Sequence, residues 1–255
     1  MTRVRFYGYG LPGLSAQDAP TDLPGRLIVL EGTDGVGRST QVALLREWLE
    51  SSGYAVVSSG LKRSTLAGKG IALAQEGHYL GDRTTCLLYA TDLADRLERG
   101  IIPALRAGFV VLTDRYIYSL IARALVRNLD REWVSNTFGF ALVPDRVFYL
   151  RSDLNHLIPR VLNTRGFNYW ESGMDFLRKR DYHDSYVEYQ SKLLTQFDRM
   201  SGEYDFHLID ATRSVRQVFV DLKKGISRLV KGMKPASPPG NPHHSDPAET
   251  ISLAD

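Results

Sequence analysis

Cysteine is almost missing: Cys86 is the single one in 255 residues. No intramolecular disulfide can form, and neither a CxxC pair nor an HExxH run is present to hold zinc. One thiol in a chain of this size fits a reducing, cytoplasmic setting. There is no GxSxG elbow, so serine hydrolase chemistry has no frame. No run approaches the roughly eighteen consecutive apolar residues of a membrane span, and MTRVRFYGYGLPGLSAQ lacks the apolar core of a secretory leader. A soluble chain without a membrane partner is expected. Charge is nearly balanced, with 32 Lys and Arg against 29 Asp and Glu for a net +3. That is too little, and too evenly spread, to make nucleic acid the partner.

What is present is an apolar share of 43%, enough to build the core of one α/β domain. Residues 1–25 mix Gly, Pro, Tyr and Ser without periodicity and read as a loosely packed or disordered extension. Residues 232–255 carry five prolines between Pro235 and Pro247, which prevents helix formation and predicts a disordered tail. His243 and His244 in it read as a flexible surface pair. Between these ends, residues 26–231 alternate short apolar runs with longer segments of helical period, the signature of a parallel sheet between helices. The strands are RLIVLE, YAVVSS, FVVLTD, RVFYL and DFHLID. Helices are expected at Ser39–Ser51, Thr84–Arg106 with a break at Pro103, Leu154–Asn163, Asp175–Met200 and Val215–Val230. The class is α/β, a three-layer α/β/α sandwich, with ligands at the carboxyl ends of the strands.

Directly after RLIVLE stand Gly32, Thr33, Asp34, Gly35, Val36, Gly37, Arg38, Ser39 and Thr40, which match GxxxxGK[ST] except that arginine replaces lysine. A loop that wraps a phosphate needs positive φ angles and inward N–H groups, and glycine supplies both. The following helix aims its free N–H groups at the anion. The loop therefore reads as a phosphate cradle, with Ser39 as a Mg²⁺ ligand. Arg38 keeps the positive charge but exchanges a compact ammonium for a planar fork, which leaves its geometry and its effect on turnover open. The glycine spacing differs from the dinucleotide GxGxxG pattern.

The strand FVVLTD ends in Asp114 and Arg115. An aspartate there can orient Mg²⁺ and an arginine can clamp an acceptor phosphate, although the same pair also reads as a structural ion pair. With these residues in view, LIVLEGTDGVGRSTQ, LLYATDLADRL, FVVLTDRYIYS and PDRVFYL resemble successive blocks of the thymidylate kinase family, from about Arg26 to Val230. The resemblance implies the fold of P-loop nucleoside monophosphate kinases, with a five-stranded parallel sheet. It implies transfer of the ATP γ-phosphoryl group to dTMP with Mg²⁺, usually in a homodimer. On the matching positions, Asp34 resembles the loop carboxylate near the acceptor sugar, Arg115 the arginine on the acceptor phosphate, and Asp114 the residue near the metal. Tyr89 matches the ring that stacks on thymine, while helix packing explains it equally well.

Three departures stand out. The family's base-reading arginine is Leu93 here, and Arg96, one turn on, is a candidate substitute. SSGLKRST replaces the REPGG segment and offers Lys62 and Arg63. The lid lacks a clean arginine-rich match, leaving Arg165, Arg178, Lys179 and Arg180 as candidates or as plain surface charge. The expected catalytic set is Arg38, Asp114 and Arg115; the expected acceptor set is Asp34, Tyr89, Arg96 and Arg115; the expected metal set is Ser39 and Asp114. Two alternatives stay open: a nucleotide-binding regulator that has lost efficient turnover, and a kinase for another nucleotide or small acceptor.

Overall fold

The computed structural model describes residues 5–10, 23–77, 80–177 and 179–233; the Pro-rich tail, His78 and Arg178 lie outside them. Five strands, β1 (Arg26–Glu31), β2 (Val56–Gly60), β3 (Val110–Asp114), β4 (Arg146–Arg151) and β5 (His207–Asp210), form one sheet of order β2-β3-β1-β4-β5. Every pairing is parallel. Alternate side chains of a strand face opposite sides, and the two cores follow that rule. Leu27, Val29 and Val111 pack with Leu93, Ile117 and Tyr149 on one face, while Ile28, Leu30 and Leu112 pack with Leu45, Phe148 and Leu222 on the other.

The helices are α1 (Arg38–Ser51), α2 (Gly68–Gly77), α3 (Asp82–Arg96), α4 (Ile102–Arg106), α5 (Ile117–Val126), α6 (Arg131–Thr137), α7 (Leu154–Thr164), α8 (Met174–Leu177), α9 (Tyr182–Glu203) and α10 (Val215–Val230). Four differences from the expected elements have physical causes. The break near Pro103 is a widened π-turn over Leu97–Ile101; Pro103 lacks an N–H and crowds the carbonyl four residues back, and the wider turn relieves both. The helix expected over Asp175–Met200 is two helices, with α9 starting on an N-cap at Asp181 that accepts from the Asp184 N–H. α5 is almost wholly buried, so it reads as a mainly apolar run in which Ser119 and Arg123, four residues apart, are the polar interruptions. α2 and α6 are short. No helix among the described residues is long and apolar enough to cross a membrane.

The N-terminal extension is also partly docked. Phe6 bridges Leu142, the Tyr7 N–H donates to Ala141 O at 3.1 Å, and the Tyr7 hydroxyl bonds that of Tyr118. Tyr7 stands edge-on to both Tyr118 and Tyr204. Phe6 and Tyr7 thus cover an aromatic seam that water would otherwise wet. Replacing Tyr7 with Ala is expected to lower unfolding stability by about 1–3 kcal/mol in urea titrations. An unchanged midpoint would show that the segment only rests on the surface.

Candidate phosphate-transfer site

β1 and β3 are neighbours, with Leu30 opposite Asp114. The loop leaving β1 and the segment leaving β3 therefore emerge side by side. In the loop, Gly32, Gly35 and Gly37 have φ of +145°, +82° and +96°, which L-residues adopt only under strain. A Cβ on Gly32 would stand 2.6 Å from Leu150 O, and one on Gly35 2.6 Å from Val161 Cγ2. α1 begins at Arg38, so its first-turn N–H groups open onto the loop.

Arg38 is buried and folds back on the protein. Its Nε donates to Asp114 Oδ1 at 2.7 Å, and its Nη1 donates to Gly32 O at 2.6 Å and to Thr33 O. These are acceptors at the root of the loop, on the side opposite to an anion's needs. Of its three nitrogens, Nη2 alone has no partner among the described residues. Ser39 Oγ donates to Asp114 Oδ2 at 2.7 Å. Serine hydroxyl and carboxylate form an all-oxygen set, the hard donors that Mg²⁺ prefers. Burial pushes the Asp114 carboxyl up, but Arg38, Arg115 and the Ser39 bond outweigh it and hold it below the ordinary range.

Arg115 has a left-handed backbone, with φ +73°. A non-glycine residue in that region costs about 1–3 kcal/mol and persists where its surroundings enforce it. Here its N–H donates to Leu30 O at 3.0 Å and its carbonyl accepts from Thr113 Oγ1 at 2.7 Å. The guanidinium donates to Asp34, to Ser119 Oγ at 2.8 Å and to Gly32 O at 3.3 Å. Burial, and then Arg38, bring Arg115 down to about 10, which leaves it charged at neutral pH. The Asp34 carboxyl is raised by burial, yet Arg115, Arg123 and Arg38 together hold it low.

Sequence reasoning missed Glu31. Fully buried at the end of β1, it accepts from the N–H of Tyr116 at 2.8 Å and the hydroxyl of Ser119 at 2.6 Å, which caps α5 and fixes the turn at Arg115. An acid closing an otherwise apolar buried strand is a signal, because it must find donors.

A cleft of about 230 Å³ runs beside the loop, lined by Asp34, Arg38, Lys62, Asp114, Arg115 and Arg123. Tyr89 and Arg123 also line a narrower cavity of about 60 Å³, walled by Thr85, Leu120, Ala124, Trp170 and Tyr189. Tyr89 and Arg115 thus share a continuous cleft, and the Tyr89 hydroxyl accepts from Gln75 Nε2 at 3.1 Å. Arg96 does not join them. It is buried with its Nε on Asp92 Oδ2 at 2.9 Å and its Nη1 on Ser59 Oγ at 3.2 Å, and it lines a separate hollow near Ser64 and Ile101. Burial against that polar cluster corrects its assignment to the acceptor set. Leu93 is likewise core. Of the other expected cations, Lys62 and Arg63 line the cleft. Arg165 pairs with Glu171 and Lys179 with Glu188.

A glycine loop feeding a helix, a Ser–Asp oxygen pair and a buried arginine at a parallel β1–β3 junction define a P-loop α/β protein of the nucleoside monophosphate kinase type. Residues 30–222 match the sequence model of the thymidylate kinase family, and the chain belongs to that family. It is 35% identical to a probable thymidylate kinase 2 of Saccharolobus solfataricus over 81% of this chain and 97% of that one. It is 36% identical to a thymidylate kinase of Clavibacter sepedonicus over 78% and 82% of the two chains.

Two outcomes are expected. Arg38→Ala leaves Asp114 with one partner fewer and should cost about 3 kcal/mol in chemical denaturation, whereas loss of Ser39 Oγ should cost about 1 kcal/mol. Equal losses would mean that the Arg38 contacts carry no special weight. Asp34 and Asp114, held low in the folded chain, contribute stability that is present above about pH 4 and fades as the pH falls through their folded values. Asp34→Asn should therefore show a shallower acid limb than the parent; an identical limb would remove Asp34 from the account.

Proposed function

We propose that the protein transfers the γ-phosphoryl group of ATP to dTMP, giving dTDP. The observation that carries this reading is the Asp34–Arg115 junction, which joins a phosphate loop to a cleft that continues into a ring-walled cavity. The acceptor is already an anion, so no strong base is needed, and rate comes from alignment and from neutralising charge. The loop amides and the α1 terminus hold the donor, with the free Nη2 edge of Arg38 facing it. Ser39 and Asp114 hold Mg²⁺, which when bound neutralises charge on the donor phosphates. Arg115 exchanges part of its bonding with Asp34 for the acceptor phosphate. Tyr89 offers its ring to the base, and the narrow cavity favours a single ring over a fused one. Cytoplasmic residence and a homodimer complete the proposal, with exposed Leu73 and Leu87 available to a second copy.

The bonding of Arg38 to loop carbonyls favours a second reading, a nucleotide-binding regulator with slow turnover. An ADP-coupled assay across nucleoside monophosphates separates the two. ADP formation that depends on dTMP is expected, and Arg115→Ala should lose at least about 10³ in rate. Tight ATP binding with no acceptor-dependent ADP would select the regulator, and turnover with dCMP or UMP but not dTMP would select another acceptor.

A further inference from the structure

With Leu93 in the core and Arg96 turned toward Asp92, α3 brings no guanidinium to the ring cavity. The opposite wall does. We infer that Arg123, on α5, is the residue that recognises the nucleoside part of the acceptor; this rests on the reading of the cleft as the acceptor site.

Three observations carry it. First, Arg123 and Tyr89 are the two residues that line both the cleft beside the glycine loop and the ring cavity, so Arg123 lies where a ligand passes from phosphate to ring. It sits six residues into α5 from Ile117, about 9 Å along the helix axis, well beyond Arg115. Second, its bonding capacity is barely used. Among the described residues its guanidinium has one polar partner, Asp34 Oδ2 at a long 3.4 Å. Asp34 is meanwhile held by Arg115. Third, its neighbour one turn on is fully committed. Arg127 is forked onto Asp175 at 2.8 and 3.0 Å, donates to Tyr189 Oη at 3.0 Å, and lies over the rings of Phe176 and Tyr189. Arg127 therefore shapes the cavity's end, and Arg123 remains as the cation with donors to offer. The phosphate end already has Arg115, Lys62 and Arg63. A planar fork of donors facing a tyrosine ring across a narrow space suits the carbonyl and hydroxyl oxygens of a nucleoside.

The test uses ligands that separate the two ends: thymidine, which has no phosphate, and inorganic phosphate, each titrated calorimetrically against the parent, Arg123→Ala, Arg123→Gln and Arg115→Ala. The Gln variant keeps bulk, and thermal unfolding of each variant checks that it is folded. Arg123→Ala should weaken thymidine by at least about tenfold and leave phosphate within twofold, with Arg123→Gln, which keeps an amide donor, recovering part of the loss; Arg115→Ala should do the reverse. In turnover, Arg123→Ala should raise KM for dTMP far more than it lowers kcat. Thymidine binding unchanged in both Arg123 variants, or phosphate weakened as much as thymidine, overturns the inference while the kinase reading stands. Parent protein that binds no thymidine and makes no ADP with dTMP overturns both.

Discussion

The Arg115 guanidinium is buried in a cleft whose depth would strip a charge of its water. A charge in that position must be paired, because removing one partner leaves the other stranded at a cost of several kcal/mol. Asp34 provides the pairing from the loop after β1, and Ser119 and Gly32 O take up further donors. Two segments separated by about eighty residues are thereby locked together. Glu31 extends it, since its carboxylate fixes the turn at Tyr116 and Ser119 and so holds Arg115 in a backbone conformation it would not choose alone.

Arg38 adds a second tie across the same junction. A lysine would present one compact charge to an anion. Arg38 instead spreads across the loop root, tying Gly32 and Thr33 carbonyls to Asp114. It serves as a brace, with Nη2 alone left without a partner among the described residues. Asp114, held between Arg38 and Ser39, stays ionised and oriented.

Much of this was legible in the chain. RLIVLE and FVVLTD carry unbroken apolar runs, LIVL and FVVL, because strands in the middle of a parallel sheet are buried on both faces, and the loop glycines stand where positive φ is needed. The rest depended on tertiary placement. α5 is mostly buried, and although Ser119 and Arg123, four residues apart, share one face, the spacing does not say which cleft that face meets. Arg96 shares a helical face with Tyr89 by spacing, yet the pull of buried Asp92 and of Ser59 turns it elsewhere. The docking of Phe6 and Tyr7 is equally invisible locally, since it depends on aromatic residues that lie more than a hundred positions away.

The most direct test of the central claim is a crystal structure with a bisubstrate analogue in which adenosine and thymidine are joined through a polyphosphate. The account predicts phosphates along the glycine loop, the thymidine-side phosphate on Arg115, and the thymine ring against Tyr89 with Arg123 beside it. A complex in which Arg115 keeps all its bonds to Asp34 and Ser119 while the thymidine half lies outside the cleft would contradict it.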